Sequence, residues 1–349
     1  MTVNKQTLVE ILDKVKPAVG AKDNNMQQDC FVFYGGHVLA FNDDVAVHCI
    51  LHESMEMLDG FSVQAKEFHT LVNKLPGNEL EIELLDDCLE IKAGRSRSKF
   101  KIQHEIKMPL DELCDWGDFG TELPEKFSNA LSLVSPACSR DMTKPLTTCV
   151  FLSGNSIVAT DNYCAARYIF DDFEWRGSCY ISKTTADILS KYSLAVYSLK
   201  KDGWLQFGTV DETCVLDCRT YYKGQPFADV NPLFNEHGEK LILPSKLISS
   251  LERAGLFVKS CDTSATSSDD PFVKISVEKN RMTVIGSGSI GEYTETMRID
   301  YEGQTREFSI NASLLSRVLQ EGYKCELCKR FIHIYDDHYD YLVAYSEYK

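Results

Sequence analysis

One order of elements is written three times along the 349 residues, and such a chain folds as a set of like units rather than one continuous architecture. Leu8, Ile11, Leu12 and Val15 share one face at helical spacing, which predicts an amphipathic helix over 5–19 whose last turn Pro17 disturbs. β-rich runs follow at 30–34, 37–42 and 46–51. A second helix over 65–75 stops at Pro76-Gly77-Asn78, and strands at 80–85, 88–93 and 99–106 close the unit.

The order restarts at Leu123-Pro124, where proline suits a first helical turn. This helix reaches residue 138, with Pro136 fraying its end. Strands at 149–152, 156–160 and 166–170 follow. Next come a helix over 182–193 and strands at 195–200, 204–210 and 213–220. Gly224-Gln225-Pro226 and Asn231-Pro232 mark a linker. The third start is Leu243-Pro244-Ser245, with a helix ending near Ala254-Gly255, a polar loop at 260–270 and strands at 273–277, 281–286 and 292–301. A helix over 311–322, capped by Asn311, and strands at 331–335 and 341–345 finish the chain. The expected fold is α+β, with domains at 1–121, 122–236 and 237–349, each pairing two helices with antiparallel sheets.

Charge is distributed unevenly over these elements. Lys plus Arg total 37 and Asp plus Glu 52, a net charge of −15 that argues at first sight against a nucleic-acid coat. The six helical segments nevertheless sum to +8, leaving −23 on the remainder. For one helix, lysine's own helix propensity explains a positive charge. Six out of six point to one shared surface that attracts phosphate, since duplex DNA carries about one negative charge per 1.7 Å of axis.

No apolar run approaches the ~18 residues of a membrane span, and the first residues lack the apolar stretch of a signal peptide. The thirteen cysteines are odd in number and follow no export signal, so they are expected as reduced thiols of a cytosolic chain. Cys30, Cys49, Cys214 and Cys218 fall in strand-like runs and are expected as small core or face residues.

The motifs then resemble one family. Asp141-Met142-Thr143-Lys144-Pro145-Leu146, Ile157-Val158-Ala159-Thr160-Asp161-Asn162-Tyr163 and Tyr180-Ile181-Ser182-Lys183 are similar to the middle domain of bacterial DNA polymerase III β sliding clamps, with its D-x-x-R-P-x-L and A-T-D-G-x-R patterns. Gly94-Arg95-Ser96-Arg97-Ser98 is similar to that family's G-R-S-R strand. Leu243-Pro244-Ser245-Lys246-Leu247, Ile290-Gly291-Glu292 and Tyr301-Glu302-Gly303 match its third domain, including I-G-E and Y-x-G. The resemblance runs through nearly the whole chain in the right order.

The resemblance implies a non-enzymatic processivity factor: a homodimer of three-domain protomers closed head-to-tail into a ring around double-stranded DNA. Twelve helices line the hole, and the ring tethers the replicative DNA polymerase after an ATP-driven clamp loader has placed it. Such a ring holds DNA by topology and without sequence preference, and needs no cofactor, metal or membrane. Lys22 and Arg140, just beyond the first helices of two units, lie where the family contacts DNA. Lys14, Lys66, Lys126, Lys183, Lys191, Lys246, Arg253 and Arg317 complete the DNA-facing set. Arg95, Arg97, Lys99 and Lys101 recur at period two, so one strand face is basic. In the family this strand meets an acidic third domain across the subunit interface, for which Glu292 and Glu295 are the expected partners. A solvated basic edge strand is the plainer alternative.

The family also binds linear peptides of its partners in a pocket. The matching positions are Lys144, Leu146, Thr160, Asp161, Asn162, Tyr163 and Pro232. Lys144 replaces Arg, Asn162-Tyr163-Cys164 stands where Gly-His-Arg is common, and Val343-Ala344-Tyr345-Ser346 lacks the family's Met-Pro. These departures suit a phage-encoded member serving its own polymerase.

Other motifs compete with this reading. Gly286-Ser287-Gly288-Ser289-Ile290-Gly291 fits G-x-G-x-x-G, which would make the chain a cytosolic dinucleotide-binding enzyme. That motif must open a helix, whereas the next residues alternate like a strand, so a glycine-rich hairpin is expected. Cys325 and Cys328 with His333 and His338 lack the ligand spacing of a structural zinc site. No nucleophile–base pair stands out. A multidomain structural scaffold is the remaining alternative.

Overall fold

In a computed structural model the structure describes residues 1–21, 27–110, 120–200, 203–222, 224–258, 271–319 and 324–347. Lys22, the 260–270 loop and residues 320–322 of the last expected helix lie outside them. Helix α1 (Lys5–Val15) begins where the Asn4 side chain accepts the Thr7 N–H, and it buries Leu8, Val9, Leu12 and Val15. Pro17 then turns the chain into the 3₁₀ segment Lys16–Ala18, because proline offers no N–H to continue the α ladder. The other helices are α2 (Ala65–Lys74), α3 (Phe127–Val134), α4 (Lys183–Leu189), α5 (Asn231–Phe234), α6 (Leu247–Val258) and α7 (Ala312–Val318). Asn311 caps α7 through the Leu314 N–H, and Pro136 ends α3 in a 3₁₀ turn. The start of α3 falls at Phe127, later than expected, because Thr121–Glu122 first pairs as a strand with Leu194–Leu199.

Each of the three copies has the order strand, helix, three-stranded meander, strand, helix, three-stranded meander. The strand before the first helix, Thr2–Asn4, Thr121–Glu122 or Glu239–Ile242, pairs in each copy with the first strand of the second meander. The chain divides into two compact units, 1–132 with 178–224 and 133–177 with 225–349.

In the first unit an eight-stranded sheet joins two copies: Val45–Ile50, the third strand of one meander, pairs antiparallel with Cys214–Arg219, the third strand of another. A four-stranded sheet in the same unit runs Thr2–Asn4, Glu79–Leu84, Cys88–Ala93, Ser96–Lys101 and ends on the last of these. Phe68 of α2 packs edge-on to Phe31, Phe33 and Phe100.

In the second unit the same seam recurs, with Cys164–Ile169 antiparallel to Tyr339–Glu347. Arg306–Asn311, Phe272–Glu278, Arg281–Gly288 and Gly291–Arg298 continue from Tyr339–Glu347, and the last of these is an edge. Gly286-to-Gly291 is indeed a hairpin: Gly288 faces Gly291 across the turn, and no helix follows. Gly286 is glycine because α6 lies on it; a Cβ there would stand 2.1 Å from the Ala254 carbonyl oxygen.

One expectation fails. Cys49 and Cys214 are joined by a disulfide, because the seam sets them directly opposite one another. The nine other described cysteines are buried and form no disulfide. Among the described residues no helix is long and apolar enough to cross a membrane.

Candidate nucleic-acid and partner interfaces

The basic helical residues divide into two groups. Lys66, Lys126, Arg140, Lys191 and Lys246 are exposed. Others are held by their own chain: Lys14 Nζ lies 2.7 Å from Asp211 Oδ2 and 2.8 Å from Thr213 Oγ1, and Lys183 lies 2.6 Å from Asp187. Partial burial opposes ionisation of Asp211, yet Lys14 and the Thr209 and Thr213 hydroxyls hold its carboxyl well below the usual range. Arg253 donates to Tyr293 Oη and Glu295 Oε2, both at 2.6 Å, and Arg317 reaches the Pro136 carbonyl at 3.4 Å. Of the expected set, Lys14 and Lys191 share one cavity.

The basic strand face is present on the edge strand Ser96–Lys101, where Arg97, Lys99 and Lys101 are exposed at alternate positions and Arg95 sits exposed in the preceding turn. Beneath it lies a carboxylate that the charge pattern did not single out. Glu90 is 1% exposed and is ringed by Arg97 (2.7 Å), Lys92 (3.0 Å) and Lys99 (3.5 Å). Hydrogen bonds from Arg97 and Lys92 hold its carboxyl down at about 2. Its signal was the cross-strand register, which sets Glu90 opposite Lys99.

The expected acidic partners lie on the other edge strand, Gly291–Arg298. Glu292 is exposed, while Glu295 accepts from Tyr293 and Arg253 and is held at about 2 by them. Arg253, expected to face DNA, is thus a strut between α6 and this edge.

The residues of the peptide-pocket pattern lie in the second unit. Thr160 Oγ1 donates to the Cys164 carbonyl, and Asp161 Oδ1 accepts from the Tyr163 and Cys164 N–H groups. Asn162 takes a positive φ of 75° at the tip, which leaves Tyr163 71% exposed. The Tyr163 carbonyl accepts from the Ala344 N–H at 2.8 Å, tying the turn to the last strand. Lys144 and Leu146 sit at the 3₁₀ turn Pro145–Thr148 that leads into Cys149–Ser153, two strands away from Cys164–Ile169.

Pro232 lies in the first turn of α5, whose Phe234 packs with Val230 against Val158, Ala165, Phe331 and Leu342. Arg167 stands 4.3 Å over the Phe234 ring and holds Asp340, which also accepts from His333 at 2.8 Å. Sequence reasoning missed this Phe234–Arg167–Asp340–His333 cluster. Its signal is the opposition of Arg167 to Asp340 across the seam.

A three-copy chain with like seams, in which two third strands of meanders are left without a seam partner among the described residues, has the fold of DNA polymerase sliding clamps, and solved structures agree over the whole length. The structure is similar to the DNA polymerase III β subunit from Thermotoga maritima, with a TM-score of 0.77 at 19% identity, covering 100% of this chain and 99% of that one. It is equally similar to a putative β subunit from Eubacterium rectale (TM-score 0.78, 16% identity, 99% of each chain) and to the β subunit from Pseudomonas aeruginosa (0.76, 16%, 100% of each). The sequence itself matches no protein-family model and no curated protein.

Proposed function

We propose that this protein is a DNA sliding clamp: a non-enzymatic processivity factor that closes as a homodimer around duplex DNA and tethers the replicative polymerase. One observation carries the reading. Inside the chain, each seam joins the third strand of a second meander to the third strand of a first meander. Only Ser96–Lys101 and Gly291–Arg298 are left without that partner among the described strands, and they carry opposite charge. A second copy satisfies both edges at once, head to tail, and the ring closes. Aligned as the inner seams are, Arg97 falls opposite Thr294 or Glu295, and Lys99 opposite Glu292 or Tyr293.

In this reading the domains are 1–121, 122–236 and 237–349. Exposed Lys66, Lys126, Arg140, Lys191 and Lys246 give loose phosphate contact that lets the ring slide. Lys14, Lys183 and Arg253 contribute less charge because carboxylates of their own chain pair with them, whereas Arg317 meets only the neutral Pro136 carbonyl. The 160–163 turn and the α5 segment receive linear peptides of the polymerase and of the clamp loader, and the protein works in the cytoplasm. The hairpin at 286–291 gives the dinucleotide alternative no helix N-terminus to use.

The test is retention on DNA. Loaded protein stays on a nicked circle and runs off once the circle is cut to a linear duplex, with a solution mass twice that of one chain. Equal loss from circle and line, or a monomer at micromolar concentration, refutes the clamp.

A further inference from the structure

The first seam is covalently closed by a disulfide between directly opposite residues. Ile50 N–H donates to the Thr213 carbonyl at 3.0 Å, so the next pair along, Cys49 and Cys214, is a non-hydrogen-bonded pair, where antiparallel backbones approach most closely. Their Cα atoms are 4.3 Å apart. The bond therefore replaces no ladder hydrogen bond, and opening it removes none. Pairing follows placement: Cys218, four residues further along the same strand, faces Val45 and is free.

Both cysteines are buried, and what lies beside them differs. Cys214 lines a cavity of about 580 Å³ together with Lys14, Pro17, Lys191, Tyr192 and Val210, while Cys49 is not part of its wall. That volume suits a small molecule and not a folded protein. Thr213 Oγ1 lies 3.7 Å from Cys214 Sγ, with its own proton donated to Asp211 Oδ1 at 2.9 Å.

We propose that Cys49–Cys214 is a thiol-switched staple across the first seam, opened by a small-molecule thiol entering this cavity. A thiolate attacks Cys214 Sγ, the S–S bond breaks, and Cys49 leaves as a thiolate that takes a proton. A second small thiolate attacks the outer sulfur of the mixed disulfide and releases Cys214, which takes the second proton. Two small thiols are oxidised to one small disulfide, and the staple gains two electrons and two protons. A small disulfide drives the reverse. Because the two residues are 165 apart in sequence, closing the staple restricts the unfolded chain strongly, while the strand ladder keeps the open form folded.

The full chain is tested in glutathione buffers of increasing glutathione disulfide. Denaturation followed by alkylation labels two more thiols in reduced than in oxidised protein. Reduction lowers the thermal midpoint of the first unit by about 10 °C. Cys49→Ser/Cys214→Ser has a midpoint that ignores the buffer. Val210→Trp, which narrows the cavity, slows reduction of folded protein by glutathione about tenfold. The same labelling in every buffer, or labelling that changes with no shift in midpoint, overturns the staple. Reduction of Val210→Trp at the wild-type rate overturns the cavity route.

Discussion

Gly286→Ala separates packing from nucleotide binding at the one motif that argues for an enzyme. A Cβ at Gly286 would meet the Ala254 carbonyl oxygen at 2.1 Å and its carbon at 2.7 Å, all backbone of α6. Ordinary contact begins near 3.4 Å, so the helix must withdraw by about 1 Å, and no side-chain rotation relieves it. Overpacking of this kind costs about 1–3 kcal/mol. The withdrawal also acts at a distance. Arg253 rides on α6, and its 2.6 Å bonds to Tyr293 and Glu295 stretch beyond hydrogen-bonding range when the helix moves that far. The variant is therefore expected to unfold at lower urea with an unchanged slope, and to dimerise more weakly because Glu295 is no longer held in place. Calorimetric titration with NAD or ATP gives no heat for either protein. A variant within about 0.5 kcal/mol of wild type means that α6 does not press on Gly286. Dinucleotide binding by wild type that the variant loses would make the hairpin a cofactor site and refute the packing argument.

Two further outcomes follow from the sheet edges. Arg95→Glu with Arg97→Glu places like charge against Glu292 and Glu295 and is expected to shift the sedimentation equilibrium toward monomer, most at low salt; an unchanged dimer removes this strand from the interface. Glu295 has a folded pKa of about 2 against an ordinary 4.5, so its stabilisation is whole above about pH 4.5 and is lost as pH falls toward 2. In that window the thermal midpoint of wild type is expected to fall further than that of Glu295→Gln, and parallel curves exclude the Arg253–Tyr293–Glu295 strut.

What was legible in advance is what local spacing encodes. The strands Cys88–Ala93, Ser156–Thr160 and Phe331–Tyr335 lie at their expected bounds, because alternation and flanking turn residues suffice for a meander. Asn311, Pro17 and Pro136 act where expected because caps and breaks are chemistry of one or two residues. Thr2–Asn4, Thr121–Glu122 and Glu239–Ile242 were missed because two to four residues carry no period; they are strands only through the meander strand beside them. The Cys49–Cys214 bond was missed for the same reason at greater range. Periodicity placed both residues in strands, yet nothing local says that strands 165 residues apart share a seam.

Charge, like the disulfide, is settled by partners far along the chain. Counting cations along helices treats each as available, but Lys14 finds Asp211 and Arg253 finds Glu295, carboxylates 197 and 42 residues away. The helical charge offered to phosphate is thus smaller than the +8 of the count, and each surviving lysine is exposed and screened by salt. Affinity for DNA from these residues alone is therefore weak and steeply salt-dependent. An open, charge-held binder of this composition would dissociate at physiological salt. A closed ring would not, because leaving requires its edges to part, and those edges still differ in sign: Glu90 offsets only one of the cations Arg97, Lys99 and Lys101 on one side, and Glu292 stays exposed on the other even though Arg253 engages Glu295.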